Sequence, residues 1–65
     1  MAEDIGEVAG RIWNHLNENG EVTTRDLMRA VGGSMVLTQR AIGWLAREDK
    51  IVIGKARGIE HIRLR

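Results

Sequence analysis

A chain of 65 residues with ten Lys/Arg, nine Asp/Glu, no Cys and no Pro is expected to form one domain over residues 1–65. Its core should be thin, since a domain this small buries only about 60% of its unfolded surface. Lack of cysteine excludes disulfides and thiolate metal sites and suits a reducing cytoplasm; the short apolar runs and acidic N-terminus predict neither a membrane span nor a secretory leader.

The total charge of +1 hides a division. Residues 1–21 set one Arg against five acids, net −4, and residues 22–65 set nine Lys/Arg against four acids, net +5. That asymmetry reads either as a basic side with an anionic partner or as a mixed solvated surface.

Ile5, Val8, Ala9, Ile12, Trp13 and Leu16 recur at helical spacing and predict a helix over 5–18, capped by Asp4 and stopped by Gly20. Trp13 belongs to this stripe and is expected in the core, with a dimer edge as the alternative. Glu21 and Val22 form a short extended link. Thr23 then caps a second helix, with Asp26 three residues on. On that helix Leu27, Met28, Ala30 and Val31 should face inward, with Arg25 and Arg29 outward, and Gly32-Gly33 should end it.

Ser34 is placed to cap a third helix running to about Glu48. At about 100° per residue, Leu37, Thr38, Ala41, Ile42, Trp44 and Leu45 fall on an inner arc. Val36, Gln39, Arg40, Gly43, Ala46 and Arg47 fall on an outer arc that carries no acid. Trp44, at the margin, is expected to close the core, with partial exposure towards a partner as the alternative, and Met28 and Met35 to fill gaps in the core. Ile51–Gly54 and Ile59–Leu64 read as strands flanking a basic tip, Lys55 to Gly58. A lone hairpin is marginal, so this one must pack on the helices. The expected core is Ile5, Val8, Ile12, Leu16, Val22, Leu27, Val31, Leu37, Ile42, Leu45, Ile51, Ile53, Ile62 and Leu64.

Little in the chain supports catalysis. Gly54-Lys55 lacks the upstream glycine and following Ser/Thr of a phosphate-binding loop. His15 and His61 have no partners at ligand spacing, and Glu48 and Asp49 are adjacent and point to different faces. No enzyme activity, cofactor, metal or small-molecule substrate is expected.

The pattern T-x-x-D-L-M-x-x-V-G from Thr23, followed by T-Q-R-A-I-G-W-L-x-R-E-D-K-I from Thr38, resembles the winged helix superfamily of transcription regulators. The Gly43–Glu48 stretch is more specifically similar to a family of very short prokaryotic winged-helix proteins without an established function. The resemblance implies an α+β, mainly α fold: a winged helix-turn-helix with three helices and a small antiparallel β-hairpin wing. In regulators of the arsenic-repressor and multiple-antibiotic-repressor type, the first exposed turns of the second helix of the motif read base edges. The matching positions here are Gln39 and Arg40, with Gly43 beyond them. Double-stranded DNA is therefore the expected partner, with Arg47 on the same helix, Thr24, Arg25 and Arg29 towards phosphates, and Lys55 and Arg57 on the wing. The alternative is a protein–protein adaptor. A homodimer through the acidic first helix fits either reading.

Overall fold

The computed structural model describes residues 4–65. Its elements are α1 (Ile5–Asn19), β1 (Val22–Thr23), α2 (Thr24–Val31), α3 (Met35–Arg47), β2 (Ile51–Ala56) and β3 (Ile59–Leu64). Each helix begins behind a short polar side chain. Asp4 accepts from the Glu7 N–H at 2.8 Å, Thr23 from Asp26 at 3.1 Å and Ser34 from Leu37 at 3.2 Å. One amide that the first turn would otherwise leave unpaired is thereby satisfied. α1 and α2 stop at Gly20 and Gly32, whose φ of 75° and 69° suit a residue without Cβ. α3 ends differently: Asp49 takes φ 60°, a conformation aspartate tolerates better than most residues, and the Lys50 N–H donates back to the Leu45 carbonyl at 3.0 Å.

The sheet is antiparallel, ordered β1-β3-β2. Val22, expected with Glu21 as a short extended piece, joins Thr23 in a strand that places Val22 opposite Ile62 and Thr23 opposite His61. This gives the hairpin the third strand that stabilises such a ribbon. The β2–β3 register runs from Ile51 opposite Leu64 to Ala56 opposite Ile59. Only Arg57 and Gly58 remain as the turn, with φ of 55° and 78°, the paired positive values of a type I′ turn. Lys55, expected at the tip, is a strand residue.

Helices and sheet enclose one core. Ile12, Leu27, Ala41 and Ile62 are wholly inaccessible, and Val8, Ala9, Leu16, Ile42, Leu45 and Ile51 are buried around them. Ile5, Val22, Val31, Leu37 and Leu64 pack half-buried against this cluster. Thr38 is buried too, and its hydroxyl donates to the Ser34 carbonyl at 2.9 Å, so the burial leaves no unpaired donor.

Five side chains depart from expectation. Ile53 faces Ile62 across the ladder yet is 39% exposed, because β2 is an edge strand whose exposure rises away from Ile51. Ala30 lies on the wet side of α2. Trp13 and Trp44 are 40% and 44% exposed rather than core. Both border one groove, where besides Trp13 itself α1 offers Gly6, Ala9 and Gly10, too little to cover the Trp44 indole. Of the two methionines expected to fill gaps, Met28 is half-buried and Met35 is 66% exposed.

Candidate nucleic-acid interface

The amphipathic pattern of α3 decides what it offers to solvent. With Thr38, Ala41, Ile42 and Leu45 drawn into the core, Val36, Gln39, Arg40, Gly43 and Arg47 stand outward and are all exposed, with Ala46 half-buried at their rim. No acidic residue interrupts this face. Among the described residues, nothing hydrogen-bonds or ion-pairs with the side chains of Gln39, Arg40 or Arg47.

α2 adds two more cations. Arg25 and Arg29, four residues apart and hence on one helical face, are exposed and also without a partner among the described residues. They flank a groove of about 280 Å³ between α2 and the start of α3, floored by Met28, Met35 and Thr38. Arg25 also borders a second groove, about 640 Å³, between the first turn of α2 and the wing. Lys55, Ile59 and Glu60 form the wing side of that groove. Because Arg25 lines both grooves, the helix-turn-helix and the wing share one continuous surface.

The wing places its cations differently from one another. Lys55 stands exposed in β2, opposite Glu60 on β3. Arg57 holds the first turn position at φ 55°, where Asn, Asp or Gly is the favoured occupant. A left-handed conformation costs an ordinary L-residue roughly 1–2 kcal/mol, so the turn carries a strained residue at its tip. Thr24 is distinct from the other expected contacts. It is half-buried at the start of α2, and its hydroxyl donates to Glu60 Oε1 at 2.7 Å, so it is engaged inside the protein. Elsewhere in the basic half, Arg63 donates to the Leu64 carbonyl at 3.2 Å, Arg65 lies 3.5 Å from Asp49, and the His61 ring lies 3.6 Å from Glu21. Exposed pairs of this kind contribute at most about 1 kcal/mol each.

Sequence reasoning missed one feature. Trp13 and Trp44, the only aromatic residues of the chain, border the same groove of about 350 Å³ with Gly6, Gly10, Leu45 and Lys50. The available signal was Gly6, Gly10 and Trp13 at spacings of four and three, which puts a trough and a projection on one face of α1. Among the described residues no three His, Cys, Asp or Glu converge as metal ligands, and no helix is long and apolar enough to cross a membrane.

A short strand, a helix pair with an acid-free outer helix, and a hairpin closing a three-stranded sheet define a winged helix domain. The chain belongs to the family described as Winged helix-turn-helix domain (DUF2582), whose model matches residues 1–64. It is 46% identical over 54 residues to the uncharacterized protein MJ1608 of Methanocaldococcus jannaschii, covering 78% of this chain and 76% of that one. The solution NMR structure of protein BT2368 from Bacteroides thetaiotaomicron is 40% identical and matches with a TM-score of 0.80 over 92% of this chain and 73% of the other. The Zalpha domain of Carassius auratus PKZ, solved in complex with Z-DNA, is only 15% identical but has a TM-score of 0.78 over 94% of this chain and 97% of its own. At that identity it shares the fold alone.

Proposed function

We propose that this protein is a DNA-binding module, acting in the cytoplasm in transcription control or as a chromosome-associated protein. α3 enters the major groove with Gln39 and Arg40 towards base edges, Arg contacting guanine and Gln adenine in two-point fashion. Arg47, Arg25 and Arg29 face the phosphate backbone, and Lys55 and Arg57 bring the wing onto it. Thr24 serves this surface from within, through Glu60. The observation that carries the reading is the acid-free outer face of α3, whose side chains have no partner among the described residues. The Zalpha neighbour adds support in kind, since its winged helix is held in a complex with nucleic acid.

The test is titration of a labelled random-sequence duplex, a Z-forming duplex and a single strand at salt between about 50 and 200 mM. Affinity should fall with a log–log slope near −0.9 per neutralised phosphate. Arg40→Ala should weaken binding, and Lys55→Ala should weaken it while flattening the slope by about 1. Absence of binding to all three at low salt rejects the reading.

The half-exposed tryptophans favour a second, compatible reading in which the chain pairs with itself through α1. Gly6, Gly10, Trp13 and Asn17 form an exposed stripe without charge, and interface centres are depleted in charge and enriched in aromatic residues. An antiparallel pairing about a two-fold axis sets each Trp13 against Gly10 of the other copy and each Asn17 against Gly6. Sedimentation equilibrium should show self-association that Gly10→Gln abolishes; a monomer at all concentrations rules this out.

A further inference from the structure

Among the described residues, a long-range side-chain bond ties the distal part of the wing to α2. Residues 53–60 are all exposed, so burial does little to fix their angle. Among the described residues, the Thr24 hydroxyl donating to Glu60 Oε1 at 2.7 Å is the side-chain hydrogen bond that ties this ribbon to α2. A hydrogen bond onto a carboxylate is about twice as strong as a neutral one. Its placement matters because the groove it spans holds Arg25 and Lys55 together with the carboxylates Asp26 and Glu60. Cation and anion numbers there are equal, so phosphate gains no net attraction in this groove unless Glu60 is neutralised or turned aside.

We propose that Glu60 is a positioning residue with two separable effects. Its oxygen, held by Thr24, sets the wing against α2 so that Lys55 and Arg57 stand at a fixed distance from Arg25. Its charge, in the same groove as Arg25 and opposite Lys55, weakens their grip on phosphate and so holds down sequence-independent affinity. This rests on the DNA-binding reading for the second effect only; the first is a property of the free protein.

Four variants separate the effects. Thr24→Val and Glu60→Ala remove the bond, Thr24→Ser keeps the hydroxyl, and Glu60→Gln keeps an acceptor oxygen without the charge. Amide hydrogen exchange of residues 55–60 in the free protein should accelerate about tenfold or more in Thr24→Val and Glu60→Ala, and stay near wild type in Thr24→Ser and Glu60→Gln. On random-sequence duplex, Glu60→Gln should bind roughly three- to tenfold tighter with a salt slope steeper by up to about 1, whereas Thr24→Val should bind less tightly. Unchanged exchange in Thr24→Val overturns the positioning role, as does exchange in Glu60→Gln as fast as in Glu60→Ala. Unchanged or weaker duplex binding by Glu60→Gln overturns the charge role. Should the wild type and every variant ignore nucleic acid, the DNA reading and the charge role fall together, while the exchange pattern still decides whether the clasp exists.

Discussion

Thr23 closes β1 opposite His61 and caps α2 with its hydroxyl, so one residue joins the sheet to the helix-turn-helix. Thr23→Ala should cost about 1 kcal/mol, the usual loss of an N-cap, and Thr23→Ser should recover most of it in urea denaturation. Leu27, wholly inaccessible beneath that cap, is the more severe case. Leu27→Ala should cost about 2–5 kcal/mol through lost transfer energy and the cavity left behind. A domain this small has little more than that in reserve, so far-UV circular dichroism at 25 °C should show a largely unfolded variant. Caps and aliphatic core positions are legible in sequence because both rest on local spacing. The indoles of Trp13 and Trp44 were misplaced because stripe membership gives a direction but not the size of the facing residue. Trp44 meets Gly6, Ala9 and Gly10 of α1 across the groove, and Trp13, on α1 itself, borders the same opening.

Among the elements, the wing depends most on its turn. Gly58 has φ 78°, and a Cβ there would meet nothing within 4 Å, so substitution is penalised by backbone conformation and not by collision. Gly58→Ala should therefore destabilise by about 1 kcal/mol, while Gly58→Asn should cost less because asparagine tolerates the left-handed region. Urea denaturation of the pair would show it, and equal losses would point to a contact at that site instead. The hairpin was readable from the β-branched runs at 51–54 and 59–64, whereas its third strand was not. β1 is two residues long and carries no periodicity, and it becomes a strand only because β3 supplies an edge. The same tertiary fact sets the tip: extension of β2 to Ala56 took Lys55 out of the loop.

At the scale of the whole molecule, a thin core and an uncharged trough on α1 bear on stability together. If copies pair through the tryptophan groove, folding is linked to association, and the melting temperature should rise with protein concentration by mass action. Differential scanning calorimetry over a hundredfold concentration range would reveal it; a constant midpoint counts against the dimer. Gly10→Ala should raise the melting temperature of the monomer, since a solvent-facing helical glycine gives up roughly 0.5–1 kcal/mol to alanine and its Cβ site is empty.

Local order was written in the sequence itself. The helical stripes, the caps at Asp4, Thr23 and Ser34, the glycine stops and the acid-free arc of α3 depend on neighbours within a turn or two, and the winged helix class follows from their succession. Tertiary structure alone decided that Arg25 borders both grooves, that Thr24 reaches Glu60 thirty-six residues away, and that both tryptophans share one opening. These relations join residues distant in the chain, and only packing of the helices against the sheet fixes how far apart they lie.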